Sequence, residues 1–133
     1  MPSAIILYIE DDTLSREVFE FFVGNVLGYT LYMFPNSADF MARVLALPIT
    51  PDLILLDIHM TPLDGFAMLK LLRASESYAS ARVVALTASV MNEEIALLKQ
   101  AGFNGCVAKP IDQRTFPELL LRLLKGEAIW RIV

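Results

Sequence analysis

Residues 52–65 read DLILLDIHMTPLDG. From Leu53 to Leu56 the run is apolar without alternation, and it ends in Asp57. An unbroken apolar run is the pattern of a strand buried on both faces, which is typical of a parallel sheet covered by helices on either side. The stretch then changes character. Pro62 biases Thr61 toward extended backbone. Asp64 and Gly65 open a helix expected to run to about Ala74, with Asp64 as its cap and Phe66, Leu69 and Leu72 turned inward. The segment therefore reads as strand, loop and helix, with an acid at the carboxyl end of the strand.

The same unit recurs on both sides. AIILYI (4–9) is a second fully apolar strand, followed by Glu10, Asp11 and Asp12. A helix is expected from about Leu14 to Leu27, with Leu14, Val18, Phe21, Phe22 and Val26 at helical spacing, and Gly28 stops it. TLYMF (30–34) is a short strand. Ser37 can cap a helix to about Leu47 with Phe40, Val44 and Leu45 on one side, before a loop bracketed by Pro48 and Pro51. RVVALTA (82–88) is the fourth strand, and Glu93 to Ala101 form a helix ended by Gly102. GCVAK (105–109) is the fifth strand, closed by Pro110. A last helix starts near Thr115, with Pro117 in its first turn, where a missing N–H costs little, and runs to about Lys125. Strands alternating with helices imply an α/β fold: a doubly wound parallel sheet of five strands and five helices in three layers, with right-handed crossovers. Residues 1–124 form the expected domain and 125–133 a short tail without an output domain. The tail's Ile129, Trp130, Ile132 and Val133 are expected to dock on the body or on a partner.

Composition narrows the function classes. Of 133 residues, 56% are hydrophobic and 20% charged, which suits one domain with a proper core rather than disorder. The net charge of −4 and the absence of a Lys/Arg run argue against nucleic acid and anionic membrane as partners. No apolar run approaches the roughly 18 residues of a membrane span. The beginning MPSAIILYIEDD lacks the features of a secretory signal. The single Cys106 excludes an internal disulfide and fits a reducing compartment, so a cytoplasmic location is expected.

In such sheets the ligand site lies beyond the carboxyl ends of the strands. That edge collects Glu10, Asp11 and Asp12 from the first strand, Asp57 from the third, Thr87 from the fourth and Lys109 from the fifth. Each alone has an ordinary explanation: Asp12 as a helix cap, Thr87 as a turn residue, Lys109 as a solvated loop lysine. Together they form a chemical set. Converging carboxylates repel one another, and hard oxygen ligands select Mg²⁺, which keeps several waters among about six ligands. Lys109 adds a positive charge and Thr87 a hydroxyl donor, a combination suited to neutralising the oxygens of a transferring phosphoryl group. A carboxylate beside the metal can itself attack phosphorus.

The strings ILYIEDD, DLILLDIHMTPLDG, VVALTAS and GCVAKP resemble the signatures of the response-regulator receiver domain of two-component signalling, over about residues 4 to 124. The resemblance implies a flavodoxin-like fold with strand order 2-1-3-4-5. It also implies phosphorylation of Asp57 by a sensor histidine kinase or a histidine phosphotransfer protein. Mg²⁺ would be held by Glu10, Asp11, Asp57 and the backbone carbonyl of His59. Thr87 and Lys109 would contact the phosphoryl group, and Pro110 would follow a cis peptide. His59 and Ser89 fall at positions where the family varies in tuning hydrolysis. The chain departs from the family pattern at Cys106, where an aromatic switch residue is usual, and at Thr61, where proline is usual. Cys106 reads as a buried small residue whose part in the switch is open. The resulting expectation is a stand-alone receiver, monomeric or weakly dimeric. It would be no enzyme beyond its own phosphorylation and dephosphorylation, and it would signal to an unidentified output protein. Two other classes compete: a pseudo-receiver that binds without being phosphorylated, and a haloacid-dehalogenase-type phosphatase. The second wants an Asp two residues after the nucleophile, where this chain has His59.

Overall fold

The structure, a computed structural model, describes residues 4–88 and 91–131. Its strands are β1 (Ile5–Ile9), β2 (Thr30–Phe34), β3 (Leu53–Asp57), β4 (Val83–Thr87), β5 (Gly105–Ala108) and β6 (Ile129–Arg131). Its helices are α1 (Thr13–Phe19), α2 (Phe40–Leu45), α3 (Gly65–Ala74), α4 (Asn92–Ala101) and α5 (Phe116–Leu124). All strand pairs are parallel, in the order β2-β1-β3-β4-β5-β6. The expected doubly wound order is present, and the residues read as a tail extend it by a sixth strand.

The unbroken apolar strands are buried on both faces. Every residue of β3 and β4 is buried. Alternate residues serve two cores, as the strand period of two requires. Leu7, Ile9, Ile54, Leu56, Ala85 and Cys106 pack with Phe40, Met68, Leu72 and Leu98 of α2, α3 and α4. Ile6, Tyr8, Leu53, Leu55, Val84 and Val107 pack with Phe19, Phe116 and Leu120 of α1 and α5. β6 obeys the same alternation: Ile129 joins the α1/α5 side and Trp130 packs against the other.

Two local expectations are corrected. The first helix passes from α1 into a π-helical segment, Glu20–Val26, and buries Phe19 and Val23. Leu14, Val18, Phe21 and Val26, the apolar residues read at helical spacing, are exposed. Phe19 sets the inward face: its ring lies 4.2 Å from that of Tyr8 and 5.9 Å from that of Phe116, an aromatic cluster that fixes the helix rotation. The second is Ser37, which does not cap α2. It is fully buried, its Oγ donates to the Leu63 carbonyl and accepts from the Leu63 N–H, both at 2.7 Å, and so it ties the loop after β3 to the loop after β2. Asp39, at φ 51°, precedes α2 instead, and Leu45 is exposed.

Asp12 and Asp64 do cap α1 and α3, accepting from the N–H of Ser15 and of Ala67 at 2.8 Å. Among the described residues no helix is long and apolar enough to cross a membrane.

Candidate active site

The carboxyl ends of β1, β3, β4 and β5 bring Glu10, Asp57, Thr87 and Lys109 together. Glu10, Asp57 and Thr87 are buried, while Asp11 is exposed at the rim. Carboxylate oxygens of Glu10, Asp11 and Asp57 lie within 4.8 Å of one another.

Lys109 is the counter-charge at the centre. Its Nζ donates to Glu10 Oε1 at 2.7 Å and to Asp57 Oδ2 at 3.3 Å. The Tyr8 hydroxyl donates to the same Glu10 oxygen at 2.8 Å, and the Asp12 N–H reaches Glu10 Oε2 at 3.2 Å. Arg16 of α1 donates to the Glu10 carbonyl at 2.8 Å, which fixes the end of β1. The His59 N–H donates to Asp57 Oδ1 at 3.2 Å. The His59 imidazole is largely exposed, with Nε2 3.9 Å from Glu94 of α4. Thr87 Oγ1 donates to Glu94 Oε1 at 3.3 Å. Lys109-Pro110 is cis, as expected, and so is Thr61-Pro62. Ser89 lies outside the described residues.

The loop after Asp57 is folded back tightly. The Gly65 N–H donates to the Ile58 carbonyl at 2.9 Å, and a Cβ at Gly65 would stand 2.9 Å from Ile58 Cα. Only glycine permits that approach, which holds residues 58–64 against the strand end.

The electrostatics divide the two buried acids. Burial, and then the adjacent Glu10, push the Asp57 carboxyl up to about 6. Burial pushes Glu10 upward too, but hydrogen bonds from Lys109, Asp57 and Tyr8 outweigh it and hold Glu10 below its ordinary value. Without a metal the pair therefore holds a proton only below about pH 6, and it sits mainly on Asp57. Lys109 is raised: burial opposes its charge, but Glu10 and Asp57 outweigh it. The Cys106 thiol, pushed up to about 11 by burial and then by the charge of Glu94, stays protonated, so it is a packing residue rather than a nucleophile.

The donor set fits a hard divalent cation. It offers only carboxylate oxygens, two acids buried and one open to water, and a repulsion that a cation relieves.

The sequence reading missed two residues here. Tyr8 was legible, because strand alternation puts residues 8 and 10 on the same side of β1. Glu94 was not, because only the placement of α4 beside the end of β4 brings it to Thr87. Beside the site, a cavity of about 410 Å³ runs along α1, lined by Leu14, Val18, Phe22, Lys109, Pro110 and Ile111 among others. Three of the apolar residues read at helical spacing, Leu14, Val18 and Phe22, thus wall a groove that opens at Lys109.

Residues 6–121 match the family model of the response regulator receiver domain. The chain belongs to the response-regulator receiver family. This receiver is 32% identical over 130 residues to a probable C4-dicarboxylate response regulator, DctR, of Halalkalibacterium halodurans, covering 98% of this chain and 54% of that protein. It thus spans about half the length of that relative. It is 29% identical over 128 residues to the polar-differentiation response regulator DivK of Brucella anthropi, covering 96% of this chain and all of that protein. Among solved structures, the receiver domain of a sensor histidine kinase from Pseudomonas aeruginosa superposes with a TM-score of 0.79 at 26% identity, over 92% of this chain and 98% of that one. That structure has a magnesium ion coordinated in its active site cleft.

Proposed function

We propose that this receiver takes a phosphoryl group onto Asp57 from a phosphohistidine donor, in a Mg²⁺-dependent reaction, and signals through a protein partner or by onward transfer. The supporting observation is the surrounding of Asp57: a buried carboxylate with the Lys109 ammonium 3.3 Å away and with Glu10 and Asp11 converging beside it. Glu10, Asp11, Asp57 and the His59 carbonyl would hold Mg²⁺, which when bound supplies charge neutralisation to phosphoryl oxygens. The residues do the rest. A carboxylate oxygen of Asp57 attacks phosphorus, the phosphorus–nitrogen bond of the donor breaks, and its electron pair returns to the imidazole. Lys109 and Thr87 face the phosphoryl oxygens with a positive charge and a hydroxyl proton. The Tyr8 hydroxyl keeps Glu10 in place. The apolar groove along α1, open beside Lys109, suits the helical surface of a histidine kinase or a histidine phosphotransfer protein.

On this reading the chain works in the cytoplasm and turns over only its own phosphoryl group. Incubation with a radiolabelled phosphohistidine phosphotransfer protein and Mg²⁺ tests it. Label should pass to the wild-type chain and not to Asp57→Asn, and chelating the metal should stop the transfer. Steady release of phosphate from a phosphomonoester, dependent on Asp57, would instead make the chain a phosphatase. Failure to accept label from any donor would make it a binding module only.

A further inference from the structure

A threonine hydroxyl has a single proton to donate. In the structure it points to Glu94 Oε1 at 3.3 Å. A phosphoryl oxygen on Asp57 needs the same proton if Thr87 is to neutralise it. The two bonds exclude each other, so Thr87 cannot serve the phosphoryl group without releasing Glu94. Glu94 is then left as a half-buried carboxylate that has lost the Thr87 proton and faces a second anion, with the His59 imidazole 3.9 Å away on the open side, and both changes drive it outward.

Glu94 sits in the first turn of α4, next to Ile95 and one turn from Leu98, both buried. It is therefore tied to the packed side of the helix, and packed helices shift between discrete positions rather than bending smoothly. The far end of α4 carries Lys99, whose Nζ lies 5.2 Å from the centre of the Trp130 ring. Trp130 is on β6, in register with Cys106 of β5. Glu94, Cys106 and Trp130 thus follow one another from the site to the sheet edge, and the Glu94 charge is felt at the Cys106 thiol.

β6 is built for a conditional attachment. Among the described residues it spans three and pairs on one side only. Its Ile129 carbonyl would lie 2.7 Å from a Cβ at Gly105, so it seats only because position 105 has no side chain. Arg82 holds the turn before it, donating to the Glu127 carbonyl at 2.7 Å. Short edge elements of this kind open at a small fraction of the global unfolding cost.

We propose that Glu94 is a positioning residue that competes with a phosphoryl group on Asp57 for the Thr87 proton, and that its displacement shifts α4 and loosens β6 from the edge of β5. This rests on the receiver reading of Asp57. It assigns to Trp130, brought in by a sixth strand, the reporting part for which Cys106 is too small.

Trp130 is the only tryptophan in the chain, so its fluorescence reads the event directly. The full chain is treated with acetyl phosphate and Mg²⁺, with intact mass recorded alongside Trp130 emission and amide exchange of residues 129–131. The wild type should gain one phosphoryl group, shift its emission to the red and lose protection in β6. Glu94→Ala should be red-shifted before any donor is added, with no further shift on phosphorylation. Lys99→Ala, at an exposed position, should take up the phosphoryl group with a diminished shift. A phosphorylated wild type with unmoved or blue-shifted emission overturns the proposal, as does a full wild-type shift in Glu94→Ala. A wild type that gains no mass fails at the earlier step, and the reading of Asp57 as acceptor falls with it.

Discussion

Burial and a neighbouring carboxylate raise Asp57, while Lys109 and the His59 N–H pull it back down, and the balance leaves it near 6. In the metal-free protein the folded state therefore holds a proton that an unfolded chain has lost between about pH 4 and pH 6. The stability contribution of Asp57 falls as pH rises through that window, because there the folded state binds more protons than the unfolded one. At pH 8 the ionised Asp57 is a burden of about 2 kcal/mol, less than the full shift implies because Glu10 moves the opposite way. Asp57→Asn should accordingly raise the metal-free midpoint of urea unfolding at pH 8 and change it little at pH 4; a lower midpoint at pH 8 would contradict this account of the site. The same proton must leave before a cation binds. Mg²⁺ affinity measured by calorimetry, with no phosphodonor present, should be level above pH 7 and fall roughly tenfold per pH unit well below 6. At this scale the sequence showed which groups meet, since Glu10, Asp57, Thr87 and Lys109 all end strands. It could not show that Tyr8 and Lys109 share one oxygen of Glu10, or that Glu94 reaches Thr87, because both depend on side-chain paths across separate elements.

Two elements carry consequences of their own. The apolar residues of α1 and of the π-helical segment after it divide between two jobs, Phe19 and Val23 in the core and Leu14, Val18 and Phe22 on the groove wall. Apolar spacing locates a helix but not its rotation, and here the ring of Phe19 against Tyr8 and Phe116 decides it. Val18, 45% exposed, can accept a charge without unfolding the chain. Val18→Asp should keep its uptake from acetyl phosphate, while transfer from a protein donor slows roughly tenfold or more, since about 1.4 kcal/mol of lost contact is tenfold. Equal slowing with both donors would take the groove out of donor recognition. β6 is the second such element. Its three residues were read as tail because so short a strand has no pattern to detect, yet Gly105 leaves the room it needs. Gly105→Ala should cost about 1–3 kcal/mol if β6 is forced to stay, or release it with a red shift in Trp130 emission. An unchanged melting temperature together with unchanged fluorescence would mean that β6 does not rest on β5 in solution.

Over the whole molecule, the parallel sheet follows from strands that are apolar throughout, and the site follows from the rule that such sheets bind at their carboxyl edge. That is why DLILLD, read alone, places both the core and the acceptor. What the pattern does not carry is the path of loops, such as the Ser37 clamp on Leu63, and the attachment of the last strand. The family match over residues 6–121 agrees with the strand reading across its length. The fold converges four strand ends on one carboxylate, and the central claim is that Asp57 is the acceptor. Intact mass after acetyl phosphate and Mg²⁺ tests this most directly. The account predicts a gain of one phosphoryl group in the wild type, none in Asp57→Asn and none with the metal chelated. A gain that survives in Asp57→Asn, or no gain in the wild type, would contradict it.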